Sequence, residues 1–177
     1  MRLVDFEAHN DEVRRVWQAY QSGRAVRPPM ILGVNVRYTM WRSSANPSGI
    51  DFGRYFTDAD AMLQRQLEHQ AWVRRYVPQD AEMGGAPDDG WHVQVDFLNS
   101  YEAGWFGCGL RFFDGEVPDS EPAFAEEAQR QRLLTRGVPH VFDGGLMAQN
   151  WEFYEQLCRR QQDGFEYEGR PIARVLP

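Results

Sequence analysis

The sequence predicts an α/β fold with a parallel sheet, because apolar strand-like segments alternate with helical ones along the chain. Residues 30–36 are apolar on both faces, which is typical of a strand that is covered on both sides. Residues 91–97 alternate apolar and polar side chains, and Arg170–Leu176 forms a third apolar strand-like segment. We therefore expect one domain over residues 1–177 with about three parallel strands and helices between them.

Helices are predicted before, between and after these strands. Asn10 is a candidate N-cap for the first helix, which carries apolar residues at helical spacing. Thr57 and Asp60 resemble a capping box for the second helix, which Pro78 ends. A loop follows over residues 80–90, and residues 110–113 form a short strand-like segment. Residues 123–136 predict a surface helix. A last helix is predicted from an apolar stripe at i, i+4, i+7 and i+11: Met147, Trp151, Tyr154 and Cys158.

Composition and charge exclude several classes of protein. The 177 residues are 42% hydrophobic and 25% charged, which is ordinary for a globular chain and excludes a disordered one. All 19 basic residues are arginine, so Schiff-base and P-loop lysine chemistry are absent. The net charge is −7, and residues 79–127 alone carry −11, which argues against nucleic-acid binding. No apolar run is long enough to cross a membrane.

The start of the chain and the two cysteines bear on localisation. The N-terminal residues lack the apolar core of a signal peptide, so we expect a cytoplasmic protein. Cys108 and Cys158 are then expected to remain reduced and structural.

Asp96 is the strongest candidate for a catalytic residue. It lies near the carboxyl end of the clearest predicted strand and shares a polar face with His92 and Gln94. Ligand crevices of α/β folds lie at the carboxyl ends of strands, where a carboxylate accepts N–H hydrogen bonds or transfers protons. The alternative is an antiparallel strand whose polar face meets water. The usual spacing of metal ligands is missing, so neither a metal nor a cofactor is expected.

Three candidate substrate-binding residues accompany the first predicted strand. Arg37 and Tyr38 follow its carboxyl end, and an arginine there can bind a carboxylate or phosphate with two hydrogen bonds. A surface salt bridge is the alternative for Arg37. Asn35 lies inside the same strand, where a buried amide needs partners. Adjacent parallel strands lie about 4.8 Å apart, so we expect these residues beside Asp96.

The order and spacing of five stretches resemble the N-terminal half of the uroporphyrinogen decarboxylase superfamily, which includes corrinoid-linked methyltransferases. These stretches are RPPMILGVNVRY, QRQLEHQAWVRRYVPQDAEM, VDFLNSYEAGWFGC, EVPDSEPAFAEEAQRQRLLTRG and WEFYEQLCRRQQDGFEYEGRPIARVLP. The resemblance implies the first three or so strands of a (β/α)₈ TIM barrel, that is, a partial barrel. It also implies that Asp96 binds pyrrole N–H groups and that Arg37 and Tyr38 keep an arginine–tyrosine pair. Gly33 stands where the decarboxylase has its first substrate-binding arginine.

By this resemblance, the expected function is binding of a large anionic tetrapyrrole-type substrate for decarboxylation. Two alternatives are part of a corrinoid-linked methyltransferase and a non-catalytic half-barrel that acts as a binding or scaffolding subunit. The expected partners are a tetrapyrrole or corrinoid-type small molecule, and either a second copy of the chain or a complementing C-terminal half.

Overall fold

The computed structural model describes residues 4–122, 124–142 and 144–177. Its helices are α1 (Phe6–Gln21), α2 (Phe52–Thr57), α3 (Ala59–Tyr76), α4 (Tyr101–Trp105), α5 (Glu127–Arg136) and α6 (Leu146–Gln162), with a 3₁₀ helix at Val36–Thr39. Its strands are β1 (Trp91–Gln94), β2 (Leu110–Arg111), β3 (Asp119–Ser120), β4 (Glu166–Tyr167) and β5 (Arg170–Leu176). None of the helices in these ranges is long and apolar enough to cross a membrane.

The main sheet is small and mixed, with the strand order β1–β5–β4. β1 pairs with β5 in parallel, whereas β4 and β5 are antiparallel, and β2 and β3 form a separate antiparallel pair. The prediction of a parallel sheet that begins a TIM barrel is therefore wrong for the described part of the chain. One reason lies in Glu168 and Gly169, whose φ angles of 50° and 72° make a tight two-residue turn between β4 and β5. Positive φ at both positions is the geometry of a hairpin, which forces antiparallel pairing.

The predicted first strand, residues 30–36, is not a strand. Its backbone is bound by side chains from the segment after α3, where the Met30 amide donates to Asp80 Oδ2 at 2.6 Å. The Leu32 amide donates to Gln79 Oε1 at 2.9 Å. Ile31 is 56% exposed, and Met30 and Leu32 are exposed as well. An apolar run predicts burial, but these side-chain acceptors hold the segment at the surface.

The alternation predicted for residues 91–97 is confirmed. Trp91, Val93, Val95 and Phe97 are buried in the core, whereas His92 and Gln94 are exposed. Regular strand geometry ends at Gln94, so β1 is shorter than predicted, although the Val95 amide still donates to the Leu176 carbonyl of β5 at 3.0 Å. The core lies between this strand, α3 and α6.

The helices are present, but two of their predicted N-caps are wrong. Asp5, not Asn10, caps α1, because the Ala8 amide donates to Asp5 Oδ1 at 3.1 Å. Asp58, not Thr57, caps α3, and α3 ends at Tyr76, just before the predicted stop. The residues of α6 that are buried are Asn150, Phe153 and Leu157.

The predicted stripe of α6 is displaced by one position from the buried one. Trp151 belongs to the predicted stripe and is 43% exposed. The two stripes have the same helical spacing, and Asn150 interrupts the apolar pattern of the buried stripe. The pattern therefore predicted the helix but not its inward face.

Ala123, in the predicted surface helix, lies outside the described residues, and the helix there begins at Glu127.

Candidate functional site

A cleft of about 300 Å³ lies where the carboxyl ends of β1 and β5 meet. Residues 34–36 form one wall, α3 forms another, and the end of β1 with Leu176 of β5 completes it. In sheets with parallel pairs, ligands bind outside the carboxyl ends of the strands. The position of the cleft therefore makes it the candidate ligand-binding site.

Asp96 lines this cleft, and both of its carboxylate oxygens are held by donors. The Tyr55 hydroxyl donates to Oδ2 at 2.8 Å, and the Leu98 amide donates to Oδ1 at 2.9 Å. Leu98 has a φ of 56°, so the chain turns sharply directly after the carboxylate. Because each oxygen has a second lone pair, Asp96 can accept further hydrogen bonds from a ligand in the cleft.

Tyr55 is fixed as the donor of this pair. It is completely buried, and burial, together with the adjacent Asp96 carboxylate, raises its pKa well above the usual value of 10. The hydroxyl therefore keeps its proton at physiological pH and orients the carboxylate. A charge-assisted hydrogen bond of this kind is about twice as strong as a neutral one.

The outer edge of β1 is bonded to glutamine side chains of α3 instead of a neighbouring strand. Gln66 Nε2 donates to the Gln94 carbonyl at 2.7 Å, and the Gln94 amide donates to Gln66 Oε1 at 3.1 Å. Gln70 Nε2 donates to the His92 carbonyl at 2.9 Å. One primary amide thus satisfies both backbone groups of Gln94, as a peptide of an adjacent strand would.

His69 links α3 to the opposite wall of the cleft. Its Nε2 lies 2.8 Å from the Val34 carbonyl, which can only accept, so Nε2 carries the proton. Burial is the main factor that lowers the pKa of His69, and the positive charge of Arg65 lowers it further. In the neutral ring Nδ1 is an acceptor, and it lies 2.9 Å from the Thr39 hydroxyl, whose single proton is shared between Nδ1 and the Val36 carbonyl at the same distance.

The same hydroxyl accepts from a buried arginine. Arg65 is completely buried, and its Nη2 donates to Thr39 Oγ1 at 2.5 Å while Nη1 donates to the Ala45 carbonyl at 2.9 Å. Burial lowers the pKa of this guanidinium. The chain of bonds from Arg65 through Thr39 and His69 to Val34 fixes the wall of the cleft in place.

The structure brings together two of the four predicted site residues. Asn35 and Asp96 both line the cleft. Asn35 Oδ1 accepts from the Arg37 amide at 3.0 Å and caps the 3₁₀ helix, so it is not part of a strand. Arg37 does not line the cleft, and its buried Nε has no hydrogen-bond partner among the described residues. Tyr38 is 76% exposed and lies outside the cleft.

Three further lining residues were not among the predicted site residues: Gln66, His69 and Gln70. These residues lie on the face of α3 that packs towards β1 and the cleft, where three polar side chains interrupt an otherwise apolar helix face. A polar residue on a buried helix face requires a partner, and this requirement is the signal that could have identified them.

The cleft contains hydrogen-bonding groups but little positive charge. Its polar lining consists of amides, imidazoles and one carboxylate, and no arginine of the described residues lines it. Within the same described ranges, no group of three or more His, Cys, Asp or Glu residues is arranged to hold a metal ion. Cys108 and Cys158 are free thiols and are partly buried. The arrangement is suited to a ligand that presents N–H or O–H donors to Asp96.

Comparison of the chain with protein-family models, with curated proteins and with solved structures gives no match.

Proposed function

We propose that the cleft binds a pyrrole-containing ligand of the tetrapyrrole class through its N–H groups, in support of a decarboxylase-type reaction. The observation that supports this proposal is the Asp96 carboxylate, which is fixed by Tyr55 and Leu98 at the cleft wall. A pyrrole N–H is a donor without acceptor capacity, so a preoriented carboxylate is its natural partner. The resemblance of the sequence to the uroporphyrinogen decarboxylase superfamily supports the choice of ligand class.

The chemistry of the ligand gives Asp96 a role beyond binding. Loss of carbon dioxide from an acetate side chain of a pyrrole is eased when water protonates the ring carbon that bears the side chain, because the electron pair of the broken C–C bond then flows into the positively charged ring. Water protonates the new methylene carbon, and the ring carbon returns its proton to solvent. A fixed carboxylate next to the ring N–H stabilises that charge without reorganising. The carboxylates of such a ligand would lie away from Asp96, since the lining of this cleft offers them no arginine.

Binding of uroporphyrinogen, prepared under anaerobic conditions, tests the proposal. The Asp96→Asn variant keeps the size of the side chain but loses the charge, and we expect its affinity to fall about 10- to 150-fold, the value of one charged hydrogen bond. Tyr55→Phe keeps the carboxylate but removes the hydroxyl that orients it, so we expect a smaller loss of affinity than in Asp96→Asn. Asp163→Asn, an exposed position at the end of α6, serves as the matched control.

The test also separates the two ring classes. Corrin nitrogens coordinate cobalt and donate no hydrogen bonds, so cobalamin should bind no better to wild type than to Asp96→Asn. Equal uroporphyrinogen binding by wild type and by a folded Asp96→Asn variant would contradict the proposal. The folded state of each variant is checked by its thermal unfolding curve.

A further inference from the structure

A second cleft, larger than the first, is lined by aromatic side chains. It has a volume of about 450 Å³ and lies between residues 40–53 and residues 112–115. Its aromatic lining residues are Trp41, Phe52, Phe112 and Phe113. Trp41 is 55% exposed, and both of the later phenylalanines are exposed as well. Several large aromatic side chains therefore line this cleft, and three of them are accessible at its surface.

These rings are held in place by packing against the core. The Trp41 and Phe52 ring centroids lie 5.5 Å apart at an angle of 66°. Phe56, which is buried, lies 6.4 Å from Phe52 and 5.8 Å from Phe112. Trp41, Phe52 and Phe112 are thus linked to the core through the buried ring of Phe56, which supports three of the four aromatic side chains of the cleft.

The charged groups of this cleft are all acidic. Asp51 and Asp114 line it, and no arginine or histidine among the described residues does. Asp51 Oδ1 accepts from the Arg54 amide at 2.8 Å as the N-cap of α2, which leaves Oδ2 for a ligand. Arg42, next to Trp41 in the sequence, lies 5.4 Å above the ring of Trp72 and is occupied there.

We propose that this cleft binds a small organic cation of the quaternary ammonium class. Aromatic faces attract a cation through their negative quadrupole, and the rim carboxylates add a Coulombic term of the same sign. A quaternary ammonium has no N–H groups, so it loses no hydrogen bonds to water when aromatic walls enclose it. An anion would be repelled by Asp51 and Asp114. The site shares no lining residue with the Asp96 cleft, so the two proposals stand independently.

Choline and its neutral isostere 3,3-dimethyl-1-butanol test this proposal with the purified chain. The two probes have the same shape and differ only in charge. Cation–π attraction is worth about 1–2 kcal/mol, so choline should bind about 5- to 30-fold more tightly, as measured by saturation-transfer NMR of the methyl signals. Equal binding of the two probes would overturn the proposal, as would the absence of saturable choline binding.

Three variants locate the site. Trp41→Leu removes an exposed aromatic wall and should weaken choline binding about 5- to 30-fold without loss of folding. Asp51→Asn removes the charge but keeps the cap of α2, because asparagine caps helices as well as aspartate does. It should weaken choline binding and leave dimethylbutanol binding unchanged. Asp58→Asn makes the same change at the cap of α3, outside the cleft, and should have no effect. Wild-type affinity of the folded Trp41→Leu variant would overturn the assignment.

Discussion

Substitution of Gln66 by leucine tests whether a side chain takes the place of a strand at the edge of β1. Leucine keeps most of the side-chain volume but breaks both bonds to Gln94, at 2.7 and 3.1 Å. Each hydrogen bond contributes about 0.5–1.5 kcal/mol net, so the loss should be about 2 kcal/mol. In a chain of this length, 1 kcal/mol corresponds to about 2–4 °C, which predicts a fall of about 4–8 °C in Tm.

Urea unfolding and thermal melts measure this loss, and Gln70→Leu is its matched control. Gln70 is on the same helix face but makes a single bond, to the His92 carbonyl at 2.9 Å. We therefore expect about half the loss, about 1 kcal/mol, from Gln70→Leu. Gln66→Glu keeps an acceptor for the Gln94 amide but sets a carboxylate oxygen against the Gln94 carbonyl, so it should destabilise at least as much as Gln66→Leu.

Amide hydrogen exchange adds a local readout to the same experiment. The Gln94 amide should exchange faster in Gln66→Leu than in wild type, while amides at the centre of α3 should change only as much as global stability does. A Gln66→Leu variant within about 0.5 kcal/mol of wild type, the range of an ordinary surface substitution, would show that these two bonds do not stabilise the edge of β1.

Two further predictions concern an ion pair and a glycine. The Arg27 guanidinium holds the pKa of Asp80 at about 2, below its ordinary value, so the pair stabilises the fold above about pH 4 and ceases to do so as the pH falls to about 2. Asp80→Asn should therefore be less stable than wild type at pH 6, and urea titrations should show the difference shrinking between pH 4 and pH 2; a constant difference would contradict it. Gly90 has a φ of 89°, and a Cβ there would lie 2.7 Å from the Pro171 carbonyl oxygen of β5. Gly90→Ala should cost about 1–3 kcal/mol in urea unfolding, whereas Gly85→Ala, with open space around it, should be neutral; equal effects would count against the steric argument.

Elements whose pattern is local were predictable from the sequence. The period-two alternation of residues 91–97 places Trp91 and Val93 inwards because one face of a strand meets the core. The long helices α1, α3 and α6 follow from helical periodicity in the same way. The inward face of α6 did not follow, because two stripes share one spacing and only tertiary packing decides between Trp151 and Phe153.

Elements that depend on a distant partner were not predictable. Residues 30–36 have the composition of a buried strand, but a strand also needs a free edge to pair with. Here the side chains of Asp80 and Gln79 accept hydrogen bonds from the amides of Met30 and Leu32, so these amides do not pair with a strand. A single sequence does not indicate which distant side chains will bind a backbone segment. The tight turn at Glu168 is a local element, but its sequence does not mark it, because the asparagine or aspartate usual at that position is absent.

Asn35 and Asp96 were predicted to lie close together, and they do line the same cleft, but the structure does not support the reason for that prediction. Adjacent parallel strands were expected to carry both residues, yet Asn35 caps a 3₁₀ helix and has no strand beneath it. His69 brings this segment to the cleft through its bond to the Val34 carbonyl. Arg37 lies in the 3₁₀ helix that follows Asn35 and does not line the cleft.

Glutamine side chains of α3 occupy the outer edge of β1, where the predicted first strand would have paired, and this arrangement also explains the cleft. A strand at the outer edge of β1 would lie about 4.8 Å from it and would fill the space in front of His92 and Gln94. Gln66 and Gln70 satisfy the same backbone groups from one side, through side chains that reach across from α3. The edge is therefore bonded while the space beside it stays open, and Asp96 at the end of that edge faces into it. A buried strand edge without hydrogen bonds would be costly, and an edge paired with a further strand would leave no room for a ligand. A binding site at this position therefore requires side-chain amides to bond the backbone N–H and C=O groups of β1 in place of a strand.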